Sequence, residues 1–223
     1  MTERNKQRGV PEQVSDLTAG RLSVYLRCLN VLDASEVKTI SSRALAEQFH
    51  LNAAQIRKDL AYFGEFGVRG VGYCVKELKR QLRTILGLDR NVRVAILGAG
   101  NLGLALADYP GFRQEGFAIA ALLDTERSKV GQRSRGGVEI HDVSELRRLV
   151  KQDSIDIAVV AVPAESAQAV VDTAVQAGVR AILNFSPGTL KVPPAVKLKN
   201  VDLTVSLESL SFFLARQDGE PHG

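Results

Sequence analysis

Tryptophan is absent from these 223 residues, methionine occurs once and aromatic side chains make up only 5% of the total. Any core must therefore be built from aliphatic residues, and 45% hydrophobic content is enough for one large domain or two modest ones. Cysteine is almost missing. Cys28 and Cys74 stand 46 residues apart with no metal-ligand spacing, which gives neither a disulfide framework nor a zinc site. No apolar run approaches the roughly 20 residues that a membrane-spanning helix needs, and the opening MTERNKQRGVPEQ is polar rather than signal-like. The expectation is a cytoplasmic protein with no membrane and no metal. Histidine is scarce too, with His50 falling in a turn and His141 and His222 the only two after residue 90. No nucleophile and base pair and no P-loop is visible, so no catalytic residues are assigned.

What is present is unevenly charged. Residues 1 to 90 carry fifteen lysines and arginines against ten acids, whereas residues 91 to 223 carry fourteen against fifteen. A basic module joined to a neutral one is the electrostatic footprint of polyanion binding. Within the basic part, Leu22, Tyr25, Leu26, Leu29 and Leu32 repeat at helical spacing, and Val37 to Ile40 can pair as a short strand. Ser41 or Ser42 opens a second helix with Leu45, Ala46 and Phe49 inward. Asn52 opens a third, AAQIRKDLAYF, with Ile56, Leu60 and Phe63 inward and Gln55, Arg57 and Lys58 outward. Two short helices on a tight turn, within Tyr25 to Phe63, form a helix-turn-helix pattern. The glycine-rich Gly64 to Tyr73 that follows suits a hairpin wing, with Arg69 and Gly70 at its tip, able to enter a minor groove. Gln55, Arg57, Lys58, Tyr62, Arg69 and Gly70 are the candidate DNA contacts.

The stretch NVRVAILGAGNLGLALADYPGFRQEGFAIAALLD carries the second signature. An apolar strand, Val92 to Leu97, runs into Gly98, Gly100 and Gly103 in G-x-G-x-x-G spacing, and a helix follows. A second strand ends at Asp124, 21 residues past the last glycine. In a dinucleotide fold the first glycine makes the tight turn, the second admits a pyrophosphate and the third lets helix pack on strand; the acid takes the adenine-ribose hydroxyls. NAD(H) is favoured over NADP(H), with Arg127 and Lys129 beyond the acid as the counter-signal. Further strands at Val138 to Ile140, Ile155 to Val162, Ala181 to Phe185 and Val201 to Val205 alternate with helices, which predicts a parallel sheet covered on both faces. Ligands lie at the carboxyl ends of such strands. The candidate cofactor residues are thus Gly98, Ala99, Gly100, Asn101, Leu102, Gly103, Asp124, Val162, Pro163, Asn184 and Phe185.

The fold class is α/β, with a winged-helix domain over 1–90, a Rossmann-like parallel-sheet domain over 91–204, and an apolar dimerisation helix with a polar tail over 205–223. The stretches IRKDLAYFGEFGVRGVGY, LGAGNLGLALADYPGF, VPAESAQ, AILNFSP and NVDLTVSLESLSFF, spread over nearly all of residues 14 to 215, closely resemble the Rex family of redox-sensing transcriptional repressors. That resemblance implies a homodimer with swapped terminal helices bound to palindromic operator DNA, released by NADH, with NAD+ competing and neither turned over. Together with their positions at domain edges, it points to Arg27, Tyr109 and Asp202 as groups that re-pair between two states. Two readings compete: a small NAD-dependent oxidoreductase with a DNA-binding appendage, and a related domain for CoA or another nucleotide. The first needs an acid or base facing the nicotinamide, usually supplied by a further domain, and the 133 residues from 91 to 223 are consumed by sheet, helices and terminal helix.

Overall fold

The computed structural model describes residues 14–68 and 70–217, in two compact units, Met1–Arg90 and Asn91–Gly223. Helix α1 (Asp16–Ala34) starts where the Ser15 hydroxyl accepts the Thr18 N–H at 3.1 Å. It buries the stripe Leu22, Tyr25, Leu26, Leu29 and Leu32 and packs along α4 (Val75–Ile85), whose Val75, Leu78 and Leu82 are buried in turn. Between them lie β1 (Thr39–Ile40), α2 (Ser42–Phe49), α3 (Ala53–Phe63) and β2 (Tyr73–Cys74). Ser41 and Asn52 cap α2 and α3, each side chain accepting an N–H three residues on at 3.0 Å. The turn between the helices closes through His50 in the left-handed region at φ 53°. The expected hairpin over Gly64 to Tyr73 is tighter than a two-stranded wing. A single bridge joins Val68 to Gly72, and the return strand β2 pairs antiparallel with β1. Gly72 permits this: its φ is 104°, and a Cβ there would lie 2.5 Å from the Ile40 carbonyl oxygen.

The second unit contains β3 (Val92–Leu97), α5 (Asn101–Ala107), α6 (Pro110–Gln114), β4 (Phe117–Asp124), β5 (Ile140–Asp142), α7 (Leu146–Gln152), β6 (Ile157–Val160), α8 (Ala164–Ala177), β7 (Ala181–Asn184), β8 (Lys197–Asn200) and α9 (Leu203–Gln217). All six strands are parallel, in the order β5-β4-β3-β6-β7-β8. Period-two alternation along β3 feeds both faces: Ala95 and Leu97 pack with Leu146, Leu149, Val171 and Ala174 of α7 and α8, while Val94 and Ile96 pack with Ala107 of α5. A one-residue bulge at Ala120 shifts the β3–β4 register between Val94 and Ala95.

Two expectations are corrected. The strand predicted at Val138 to Ile140 begins at Ile140 and ends at Asp142, because Val138 instead gives its N–H to the Ser134 hydroxyl. The strand predicted at Val201 to Val205 does not form. Asp202 accepts the N–H groups of Thr204 (2.9 Å) and Val205 (3.3 Å) and so starts α9 at Leu203, and the last strand is the preceding Lys197–Asn200. This edge strand alternates exposed Lys197 and Lys199 with Leu198, which packs on the core as Val196 does just before it, a run too short to stand out in the sequence, and edge lysines discourage further pairing. Leu203, Leu207, Leu210, Phe213 and Leu214 of α9 are all exposed.

Candidate functional site

Strand order reverses at β3: β4 lies on one side and β6 on the other, so the crevice above their carboxyl ends is the topological switch point, where ligands bind in open α/β sheets. The glycine turn sits there. Gly98, at φ 108°, lies so close to the next loop that a Cβ would come within 2.5 Å of the Ala161 carbonyl oxygen and 2.8 Å of Val162 Cγ1. A Cβ on Gly103 would strike the Gly98 carbonyl oxygen, so helix and strand meet at backbone contact. At Gly100 a Cβ would meet nothing within 4 Å. The turn is thus filled by protein at its first and third glycines and open at its second. Gly100 precedes α5 with no side-chain cap, Asn101 and Leu102 are exposed beside it, and Ala99 is buried.

Asp124 pins this turn. Its Oδ2 accepts the Ala99 N–H at 2.8 Å and its Oδ1 the Glu126 N–H at 2.9 Å, while Lys129 Nζ stands 3.4 Å from Oδ2. Burial alone would push this carboxyl up; the Glu126 and Ala99 N–H groups and the Lys129 charge outweigh it and hold the carboxyl below the ordinary aspartate value. The Ala99 amide is therefore spent inside the protein.

The opposite lip is formed by half-buried Val162, exposed Pro163 and half-buried Phe185. Asn184 lies beneath it, 0% exposed, and acts as a brace. Its Nδ2 donates to the Ser186 carbonyl (2.8 Å) and to Asn200 Oδ1 (3.0 Å), its Oδ1 accepts the Ser186 N–H, and Ser186 Oγ donates to the Val162 carbonyl at 2.5 Å. Ser186 and Asn200 were not singled out in the sequence. The Asn-x-Ser-Pro run does signal an Asx turn, whereas nothing local reveals Asn200.

In the first unit, α3 presents Arg57, Lys58 and Tyr62, all exposed, with Arg57 Nη1 donating to the Ser42 hydroxyl at 3.0 Å. Gly70 is exposed beside the Val68–Gly72 bridge, and Arg69 lies outside the described residues. Gln55 is corrected: it is half-buried and donates through Nε2 to Asp59 Oδ1 at 2.7 Å instead of pointing outward. Asp59, missed in the sequence, is 4% exposed. It accepts from Arg21 Nε (2.6 Å) and Nη2 (2.8 Å), from the Tyr25 hydroxyl (2.8 Å) and from Gln55, tying α1 to α3. The Arg21 guanidinium holds its carboxyl below the ordinary range despite burial, with Gln55 and Tyr25 assisting. Its signal was an acid beside the buried positions Ile56 and Leu60. Of the three switch candidates, Arg27 is exposed. Tyr109 is also exposed, edge-on to Phe112 at 5.2 Å. Asp202 has a structural duty as the cap of α9. Among the described residues no cluster of His, Cys, Asp and Glu is arranged to hold a metal ion, and no helix is long and apolar enough to cross a membrane.

Two family models match the chain. Residues 13–61 match the family described as "Putative DNA-binding protein N-terminus", and residues 89–188 match "CoA binding domain". A redox-sensing transcriptional repressor Rex of Desulfitobacterium hafniense is 48% identical over 200 residues, covering 90% of this chain and 95% of that protein. One from Syntrophomonas wolfei is 49% identical over 203 residues, covering 91% and 96%. Among solved structures, the Rex-family repressor RSP in complex with β-NAD+ and operator DNA superposes with a TM-score of 0.87 at 42% identity, covering 92% of this chain and 94% of that one. RSP in complex with β-NADH gives 0.81 at 40% identity, covering 92% and 96%. Identity of this order along nine-tenths of the chain, running through both the helix-turn-helix unit and the glycine-turn sheet, places the chain in the Rex family of redox-sensing transcriptional repressors.

Proposed function

We propose that this chain is a cytoplasmic, dimeric repressor that binds palindromic operator DNA through its first unit and leaves it when NADH occupies the second, with NAD+ competing for the same site. The observation that carries the reading is the end-to-end similarity to a repressor whose structures hold operator DNA with β-NAD+ in one case and β-NADH in another. In the proposed pose the pyrophosphate lies over Gly98, Gly100, Asn101, Leu102 and Gly103, where Gly100 is the one of the three glycines that faces open space. The adenosine end lies at Asp124. The nicotinamide faces the lip of Val162, Pro163 and Phe185, braced by Asn184. Oxidised nicotinamide carries an extra positive charge, so an apolar lip favours the reduced ring. A second copy of the chain supplies cover for the exposed apolar positions of α9, and two-fold pairing sets two recognition helices on successive major grooves.

NADH can release DNA only through a difference in affinity for two arrangements of the dimer, and moving from mostly open to mostly closed takes roughly 5 kcal/mol. Arg27, Tyr109 and Asp202 are the proposed groups that re-pair. The test is a titration of the full chain on a palindromic duplex selected with it, at several NADH to NAD+ ratios, with CoA as a further arm. Release by NADH, opposed by NAD+ and not produced by CoA, is the expected result. Release by CoA alone would favour the reading suggested by the domain match. The same titration on Arg27→Ala, Asp202→Ala and the double variant should show non-additive loss of NADH sensitivity; strict additivity removes that pair from the switch.

The DNA contacts divide by what they read. Lys58→Ala should weaken binding about equally for all sequences and flatten the salt dependence by about one phosphate contact. Arg69→Ala should change preference at A·T-rich positions. Fluorescence anisotropy on operator and scrambled duplexes across a salt series separates the two, and wild-type behaviour in both variants refutes both roles.

A further inference from the structure

The two cations beyond Asp124 pose a question about cofactor choice, because a lysine or arginine after the second strand is what a 2′-phosphate would bind. Arg127 is exposed, whereas Lys129 is already answered by carboxylates. Lys129 Nζ lies 2.7 Å from Glu126 Oε2 and 3.4 Å from Asp124 Oδ2, with its side chain one-third exposed. Glu126 is itself held by two further bonds: its N–H donates to Asp124 Oδ1 at 2.9 Å, and Ser128 Oγ donates to its Oε1 at 2.6 Å. Asp142 is the register partner of Asp124 across β4 and β5, and its carboxyl is held below the ordinary aspartate value chiefly by the Ser144 hydroxyl and N–H, with the Arg127 charge the smallest contribution. Around the end of β4, three carboxylates thus face two cations. The local balance is negative, and the lysine within reach of a ribose is turned toward protein.

Building on the nucleotide pose proposed above, we infer that Glu126 tunes cofactor specificity at this site: by holding Lys129 against itself and Asp124 and adding a carboxylate beside Asp124, it withholds that lysine from a 2′-phosphate and favours a dinucleotide with a free 2′-hydroxyl. Asp124 cannot do this alone, because its Oδ2 is drawn to the Ala99 N–H and its charge is partly offset by Lys129. Glu126 supplies the charge that keeps the balance negative. It acts through Lys129, so its role is one of positioning.

The test is titration of the full chain with NADH and with NADPH, followed by the fluorescence of the reduced nicotinamide, in wild type, Glu126→Gln and Glu126→Gln/Lys129→Ala. Wild type is expected to prefer NADH strongly. Glu126→Gln is expected to narrow the NADPH to NADH ratio of dissociation constants by about tenfold, the scale of one charge-assisted contact. The gain should fade in high salt and disappear in the double variant. Glu126 is largely exposed, with its side chain at 57%, so unchanged melting temperatures accompany the shift. An unchanged ratio in Glu126→Gln overturns the inference, as does a gain that persists once Lys129 is removed or a wild type that binds both dinucleotides equally. A wild type that binds neither removes the underlying pose, and this inference with it, and is distinguished from the other failures by the missing NADH signal.

Discussion

Gly100→Ala is expected to yield a normally folded protein that no longer answers NADH. The added Cβ meets nothing within 4 Å, and the backbone at Gly100 has φ −81° and ψ −173°, which alanine adopts freely. Thermal stability should be unchanged or raised by up to about 1 kcal/mol, because alanine lowers the entropy of the unfolded chain. The space it fills, however, is where a pyrophosphate must touch backbone. Forcing a methyl group into such a contact costs about 1–3 kcal/mol, or roughly 5- to 150-fold in affinity. Calorimetry with NADH, together with operator release, should show weak binding and persistent occupancy of DNA. Gly98→Ala supplies the contrast. Its φ of 108° is strained for any L side chain and its Cβ would press on the Ala161 carbonyl oxygen, so this variant should lose stability, on the order of 2 kcal/mol or more. Wild-type NADH affinity in Gly100→Ala would mean that no nucleotide lies against the turn.

The same pair of glycines shows what the sequence could and could not convey. Strand, G-x-G-x-x-G, helix and terminal acid are local patterns whose geometry follows from backbone sterics, and they place the turn at the switch point of an all-parallel sheet. The helix-turn-helix was legible for a similar reason, since Ser41 and Asn52 act as caps through their nearest neighbours. What escaped is long-range. Asn184 meets Asn200 across the last two strands, and Asp59 meets Arg21 over 38 residues; no periodicity encodes a partner on another element. The Lys197–Asn200 strand escaped because its alternation is too short to stand out. Val201 to Val205 imitated a strand because β-branched residues stand beside an Asp that, in three dimensions, caps a helix.

Asp59 is where a long-range contact should carry the largest structural consequence. Its buried carboxylate gathers four hydrogen bonds from Arg21, Tyr25 and Gln55, so removal leaves donors from two helices unpaired. Breaking a buried ion pair costs about 3–5 kcal/mol. Arg21 is 35% exposed and can regain water, which places Asp59→Ala at or just below the lower end of that range, at about 2–3 kcal/mol of the first unit's stability. Asp59→Asn, which keeps the shape and an acceptor, should cost less. The pH dependence follows from the sign of the shift. A carboxyl held below its unfolded value stabilises the fold at pH above that value, near 3.9 for aspartate, and the contribution is lost as pH falls through the folded value. Wild type should therefore lose melting temperature steeply between about pH 5 and pH 3, and Asp59→Asn should begin lower and fall less over that interval. Operator affinity should follow stability in Asp59→Ala, because the clamp sets α3 against α1 and Lys58 projects from the neighbouring position of the same helix. Parallel melting curves for wild type and Asp59→Asn from pH 5 to 3, or an Asp59→Ala variant as stable as wild type, would show that the four bonds contribute no net stability.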